Sequence, residues 1–436
     1  MSSLHTTERT TERTTGQATQ PMPALAGFPR ADGRKGIRNV VAVAYLVECA
    51  HFVAHEVTLA FRGEPVHLVG FPGCYPNAYA DKVMRRLLTH PNVGAVLLVS
   101  LGCESFDKRG LEADVAASGR PVHTLTIQER GGTRKTLNEG IEWVRWALAE
   151  LDAQPRVPMR WDELVVATVC GGSDGTSGIT ANPAVGRAFD TLIARGAACI
   201  FEETGELVGC EFHMQRRAAT PELGDEIVRC VAKAARYYET LGHGSFAPGN
   251  ADGGLTTQEE KSLGAYAKSG DSPISGLIKP GDIPPTGGLY LLDVVPDGEV
   301  RFGFPNISDN AEIVELIACG AHLTLFTTGR GSVVGSAISP VIKVCANPDT
   351  YDRLANDMDV NAGRILRGDA TLDQVGAEIV ALVQDVGHGR ETASEALGHR
   401  EFILTYKAFE PIGPSCLPVR QATPAMPLPS STRATP

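Results

Sequence analysis

Short, almost wholly apolar runs alternate with amphipathic stretches along most of this chain. NVVAVAYLV (39–47), PVHLVGF (65–71), GAVLLVSLG (94–102) and RPVHTLTI (120–127) are separated by segments whose patterning predicts helices over 50–61, 77–90 and 133–151. Runs this apolar belong to strands covered on both faces. Strands that alternate with helices form parallel sheets with right-handed crossovers. The same pattern resumes with ELVVATVC (163–170) and AACIFEE (197–203). It continues through GLYLLDVV (288–295), AHLTLFTTG (321–329) and SPVIKVC (339–345), with helices after Pro183, from Pro221 to Leu241, and near Asn310 and Leu372. The fold class expected is α/β: a doubly wound parallel-sheet domain over 26–157, then a second α/β domain over 158–414. The polar segments 1–25 and 415–436 read as disordered arms.

The 436 residues suffice for two or three domains with sizeable cores. A net charge of -11 argues against nucleic acid, whose phosphates need a basic face. No apolar run approaches the roughly 20 residues of a membrane span, and the N-terminus lacks an apolar signal core. A cytoplasmic enzyme with a small-molecule ligand is expected, its 10 scattered cysteines held as thiols. HExxH, Walker A and dinucleotide fingerprints are missing from the sequence.

Four strand candidates lead into a cysteine: AYLVEC to Cys49, VGFPGC to Cys74, VSLGC to Cys103 and VATVC to Cys170. Ligands of open parallel sheets bind beyond the carboxyl ends of the strands. The first three thiols can therefore share one edge, with Cys170 entering from the second unit. Thiolates favour iron or zinc, although cysteine is also a common core filler. LFTTGRG offers Thr327, Thr328 and Arg330 in a Gly-rich turn after a strand, a cradle for a carboxylate. Lys261 and Lys268 flank a short helical stretch. Arg34, Lys35 and Arg38 precede the first strand, as an anion contact or a charged turn. Asp174, Glu104, Glu202, Glu203 and Glu206 follow strands, where carboxylates act as ligands, bases or plain caps.

Taken together, GFPRADGRKGIRN, SLGCES, TIQERGGTRKT, CGGSDGTSGITANPAVG, EKSLGAYAKSG, LFTTGRG and VNAGRIL resemble the altronate and galactarate dehydratase family, in the family's order from about Gly27 to Phe409. The resemblance implies β-elimination of water from a sugar acid to a 2-keto-3-deoxy acid, with a divalent metal, Fe2+ foremost and Mn2+ as an alternative. Matched residue by residue, the family pattern falls on Cys49, Cys74, Cys103 and Cys170 as metal ligands. It also falls on Asp174, Lys261 and Lys268 as catalytic groups, and on Arg330 and Asn361 toward substrate. Arg38, Thr327 and Thr328 join the substrate-binding set. Either lysine can be the base or the enolate stabiliser.

Two departures bear on this. Similar single-chain members carry a small N-terminal domain before the GxxRxDGRxGxRN segment, where this sequence has only the polar arm. A separate small, SAF-like subunit is therefore expected, in a homo-oligomeric assembly. GFPGCYPN, with Phe71 and Pro72, also stands where the family commonly has a His-containing, more polar stretch. Three rivals remain: a C–S lyase acting on a sulfonated hydroxy acid, a non-catalytic ligand-binding subunit, and a dehydratase whose cysteines hold an iron–sulfur cluster.

Overall fold

The computed structural model describes residues 25–241, 248–295, 297, 308–405 and 407. The two arms expected at the ends lie outside this set, except for Leu25, which opens the first strand. In chain order, β1 (Leu25–Pro29) and β2 (Lys35–Gly36) form an antiparallel hairpin. Strands β3 (Val40–Tyr45), β4 (Val66–Gly70), β5 (Val93–Ser100) and β6 (Val122–Thr126) form a parallel sheet in the order β4-β3-β5-β6. Strand β7 (Val157–Met159) returns to pair antiparallel with β1. A second, all-parallel sheet follows. It holds β8 (Val165–Cys170), β9 (Ala198–Phe201), β10 (Ile274–Ile278), β11 (Gly288–Leu292), β12 (Leu323–Thr328), β13 (Val341–Cys345) and β14 (Val360–Asn361), in the order β10-β11-β9-β8-β12-β13-β14.

Why these runs are strands is visible in their packing. Successive side chains of a strand leave on opposite faces. Val40, Ala42 and Ala44 of β3 enter one core, while Val41 and Val43 enter another with Ala50, Val53 and Val57 of helix Glu48–Leu59. On the larger sheet, Ala167 and Val169 face the first of these cores. Val166 faces a third, filled by helices Ala181–Ala194 and Leu372–Gly387. The first core is continuous between the two sheets: it also takes Met84 and Leu87 of helix Ala78–Leu88, and Ile313 and Ile317 of helix Asp309–Ala318. The two lobes therefore share buried apolar surface.

Polar ties seal the join. The buried Asn92 side chain donates to the carbonyls of His322 and Ile338 and to the Ser339 hydroxyl. His322 accepts from the Val165 N–H at 3.0 Å and faces the Lys35 carbonyl at 2.9 Å. The GRKGIRN segment belongs to this clasp, which corrects the expectation for Arg38. Its guanidinium makes two 2.7 Å bonds to Glu395 and also donates to the carbonyls of Ile37, Val386 and Arg390. With its N–H groups spent on protein acceptors, Arg38 joins lobes and has no donors to offer a substrate.

Both parallel sheets contain a topological switch point, where the chain leaves one strand in one direction and later returns on its other side. It lies between β3 and β5 in the first sheet and between β8 and β12 in the second. In open parallel sheets the loops after such strands diverge, and ligands bind in the crevice between them at the carboxyl edge.

Candidate active site

Beyond the second switch point, the loop after β8 begins at Cys170 and the loop after β12 begins at Thr328. Cys170 and Thr327 are register partners on adjacent strands, so their side chains leave the same face. Thr328 pairs with Cys345, and Cys345 with Asn361, which extends the row along the edge. Glycine is required where the two loops cross. A Cβ on Gly171 would collide with the Asp309 carboxylate and the Phe326 ring, and one on Gly329 with the Asp174 carboxylate. The Gly329 and Arg330 N–H groups both donate to the Gly172 carbonyl, at 3.2 and 2.8 Å. The Gly331 N–H goes to the Thr328 hydroxyl at 3.0 Å.

That wiring changes the expected role of the TTGRG turn. Its backbone donors are used inside the protein, so it cannot cradle a carboxylate with N–H groups. The Arg330 side chain remains: it is exposed, and among the described residues it donates only to the Gly249 carbonyl. Thr327 Oγ1 and Asn361 Oδ1 are buried without hydrogen-bond partners, two polar atoms available at this edge.

Asp174 is placed as a loop former. One carboxylate oxygen accepts from the Thr176 N–H at 2.9 Å and the Thr176 hydroxyl at 2.6 Å, and lies 3.3 Å from the Ser177 hydroxyl. The other accepts from the Asn347 amide at 3.0 Å. A carboxylate this saturated suits holding the loop better than moving protons.

Helix Gln258–Ala267 delivers both lysines. Its N-cap Thr257 accepts from the Glu260 N–H. Gly178 and Gly264 let the helix sit directly on the loop after β8, fixed by the Asn182 amide bonding the Gly264 carbonyl at 2.9 Å. Lys261 lies within the helix and Lys268 caps it two turns later, so both point the same way. Both are buried. The Lys261 ammonium donates to Cys170 Sγ at 3.2 Å and Ser173 Oγ at 3.1 Å, and pairs with Glu206 at 2.5 Å. Burial works against its charge, but the Cys170 sulfur and the Glu206 carboxylate more than offset this and hold the ammonium above its ordinary range. Lys261 is thus a fixed cation, suited to stabilising an enolate and unsuited to abstracting a proton. Lys268 pairs with Glu203, whose other oxygen accepts from the Cys170 N–H at 2.9 Å.

A group absent from the expected set completes the edge. Asp309 opens helix Asp309–Ala318, beside Gly171. Burial and the neighbouring Glu206 push its carboxyl up to about 6, against the pull of Lys261. No local motif marks it; an Asp after a Ser is an ordinary helix start.

The four cysteines separate into two places. Cys49, Cys74 and Cys103 are exposed and follow β3, β4 and β5, at the carboxyl edge of the smaller sheet. The Ser105 N–H and hydroxyl both bond the Cys74 carbonyl at 2.9 Å, which stitches two of these loops together. Cys170 is buried at the other sheet's edge. Among the described residues, two donor groups could hold a metal: Cys170 with Glu203 and Glu206, and Glu202 with Glu203 and Glu312. Neither includes Cys49, Cys74 or Cys103. Ammonium groups already occupy the first: Lys261 on Cys170 and Glu206, Lys268 on Glu203.

In a two-lobed α/β chain, a buried thiol, ion-paired lysines and a Gly-rich turn meet at a switch point, the place where such sheets commonly bind small molecules. Residues 27–152 match the model of the D-galactarate dehydratase/altronate hydrolase second domain, and residues 161–409 that of the D-galactarate/altronate dehydratase C-terminal domain. The chain belongs to the D-galactarate/altronate dehydratase family. It is 34% identical over 392 residues to the (2R)-sulfolactate sulfo-lyase subunit beta of Chromohalobacter salexigens, covering 87% of this chain and 96% of that one. It is 29% identical over 394 residues to altronate dehydratase of Bacillus subtilis, covering 87% and 76% respectively. With galactarate dehydratase (L-threo-forming) of Escherichia coli it shares 30% over 403 residues, covering 85% and 75%. Among the described residues, no helix is long and apolar enough to cross a membrane.

Proposed function

We propose that this chain is a hydro-lyase that removes water from a hydroxylated sugar acid of the altronate or galactarate type, giving a 2-keto-3-deoxy acid. The observation that carries the reading is the meeting, at the β8/β12 crevice, of a cation locked beside Cys170 with a carboxyl group poised near neutrality. β-Elimination next to a carboxylate needs both: a base for the C2 proton and fixed positive charge for the enediolate. Asp309, pushed up to about 6, is the proposed base. Lys261 supplies the charge. Arg330 is the proposed carboxylate anchor, with Thr327 Oγ1 and Asn361 Oδ1 as partners for substrate hydroxyls. After C2 deprotonation the C3–O bond breaks as the hydroxyl takes up the proton that Asp309 holds and leaves as water, and the enol product tautomerises.

The family resemblance also implies a divalent metal. An oxygen-only donor set for one is Glu202, Glu203 and Glu312, buried and with one oxygen of each within 4.8 Å of the others. A cation held there supplies positive charge one carboxylate away from Cys170 and favours anionic species at this edge. Exposed Ile179 and Leu263 sit beside the Gly178–Gly264 contact at the crevice mouth. They are the proposed seat of a small partner subunit, since one relative is named as a subunit beta.

The 34% identity to that sulfo-lyase subunit supports a second reading, elimination of sulfite from a sulfonated hydroxy acid such as sulfolactate. The two differ only in the leaving group at C3. Purified protein, alone and with a small partner subunit, is assayed on altronate, galactarate and sulfolactate for keto-acid and sulfite formation. Keto acid from a sugar acid, without sulfite release from sulfolactate, supports the dehydratase. Sulfite release alone moves the assignment to the C–S lyase.

A further inference from the structure

Among the described residues, the edges of the two parallel sheets are covered or very short, except at β6. A free edge carries unpaired N–H and C=O groups, which natural proteins cover or blunt. At β4 the Arg400 guanidinium donates to the Val66 carbonyl at 3.1 Å, and the Ile338 N–H donates to His67 Nδ1 at 2.9 Å. At β10 the Ala219 N–H donates to the Ile274 carbonyl at 2.9 Å. β14 is two residues long. β6 pairs with β5 alone, in an unbroken register from Val122 to Thr126. The Val96 N–H bonds the Pro121 carbonyl at 2.9 Å, and alternate residues of a parallel ladder turn their backbone groups to the same neighbour. His123 and Leu125 therefore face β5, while the amides of Val122 and Thr124 turn outward. Among the described residues nothing bonds them.

An aromatic wall stands beside that edge. The His123 ring stacks on Trp143, with centroids 6.0 Å apart and planes 20° apart, and Trp146 follows at 5.9 Å. Trp146 is 47% exposed. Both tryptophans belong to helix Thr133–Asp152, on a stripe that runs from exposed Lys135 through Trp143 and Trp146 to exposed Glu150. Among the described residues neither Lys135 nor Glu150 has an ion-pair partner. The stripe is its own complement. Turned end for end, it sets Lys135 of one copy against Glu150 of another, with the tryptophans between. Its midpoint falls beside Trp143, and the midpoint of the two outward strand amides is His123. Because those two rings stack, a single two-fold axis serves strand and helix together.

We propose that β6 and this helical stripe are the interface with a second copy of the chain, related by a two-fold axis at His123. Antiparallel pairing of β6 with its mate sets Val122 opposite Thr124 on both sides of the axis. That makes about four backbone hydrogen bonds and fuses the two four-stranded sheets into one. The helix packs on β5 and β6. Strands about 4.8 Å apart then place the two helices about 10 Å apart, a normal packing distance. Aromatic rings lie at the centre of the contact and opposite charges at its rim, the usual anatomy of an interface. A self-complementary contact of this kind closes at two copies. None of this depends on the identity of the substrate.

The test is the oligomeric state. Sedimentation velocity and light scattering of the full-length chain at micromolar concentration are expected to give a dimer of the 46.3 kDa chain. Trp146→Glu puts a charge at the centre of the contact. Thr124→Pro removes an outward donor and leaves the β5 ladder intact. Each is expected to weaken the dimer at least about 100-fold. If Thr124→Pro does not fold, Trp146→Glu, at an exposed position, carries the test. Lys135→Glu and Glu150→Lys are each expected to weaken the dimer about tenfold, and the double exchange to restore it. Restoration cannot come from a contact within one chain, because the helix holds the two residues about 22 Å apart. A wild-type monomer overturns the proposal, and so does a dimer that Trp146→Glu leaves unchanged. A monomer that binds a small partner subunit only while Trp146 is intact gives the face to that subunit. One that dimerises only after removal of residues 1–24 or 408–436 gives it to that arm.

Discussion

The clasp at His322 makes the stability of this protein depend on pH in a calculable way. The ring is buried and its two nitrogens face different partners: Nδ1 accepts from the Val165 N–H, and Nε2 donates to the Lys35 carbonyl. Adding a proton to Nδ1 would set a donor against a donor. Burial is the larger effect; with Arg34 also opposing, and despite the Lys35 carbonyl and Glu163, it pulls the imidazole from 6.5 down to about 4. The ring of His90, itself buried and pushed well below its ordinary value, lies 6.0 Å away. Because the folded value lies below the unfolded one, the unfolded chain binds more protons between about pH 4 and 6.5. Stability from this group is complete above that window and is lost as pH falls through it. The loss works out at about 2 kcal/mol by pH 5 and about 3 kcal/mol below pH 4, at 1.36 kcal/mol per pH unit. The assay is urea unfolding of wild type and His322→Asn between pH 7.5 and 5. Asparagine keeps an acceptor near Nδ1 and does not titrate. The wild type is expected to lose about 2 kcal/mol more than the variant over that range. Parallel pH profiles would refute the reasoning.

Three further outcomes follow from the crevice. Lys261→Met strands Glu206 and removes the fixed cation beside Cys170; kcat is expected to fall about 10²–10³-fold, with Lys261→Arg recovering part of it, and an undiminished kcat would remove Lys261 from the mechanism. Arg330→Ala and Arg330→Lys are both expected to raise KM, the lysine because it loses the planar fork; wild-type kinetics in both would end the anchor assignment. Exposed Cys49, Cys74 and Cys103 are expected to react with a thiol reagent in the folded chain while buried Cys170 reacts only on unfolding, as mass-mapped labelling would show.

Much of the fold was legible because its signal is local. Each long interior strand is an apolar run of five to eight residues between helix patterns, as in Val93–Ser100, buried throughout. The pieces that escaped have no such signal. β2 and β14 are two residues each, and the short β10 is interrupted by Ser275 and Gly276. β1 finds its partner β7 through pairings far apart in sequence, Leu25 with Met159, Ala26 with Pro158 and Gly27 with Val157. Nothing in either segment specifies that partner.

The site was legible in its addresses and less so in its chemistry. Strand-end position placed Cys170, Thr327 and Thr328 on one edge, because in a parallel sheet the carboxyl ends share a side by construction; Asn361 came only from the family resemblance. The same rule placed Cys49, Cys74 and Cys103 on the edge of the first sheet and Cys170 on that of the second, and no rule of spacing says whether two such edges meet. The sequence shows the ionisable residues without their partners, and partners decide function here. Arg38 looks like an anion ligand until Glu395, 357 residues away, takes its fork. Lys261 looks like a base until Cys170 and Glu206 hold its proton in place. Glu202 is the converse. In AACIFEE it is one acid among several; in the fold Glu203 beside it takes Lys268 and the Cys170 N–H, and Glu202 is left buried near Glu312, where burial and Glu315 push its carboxyl up to about 8. Which of two adjacent acids gains a cation is decided by contacts across the fold, and no stretch of sequence carries that.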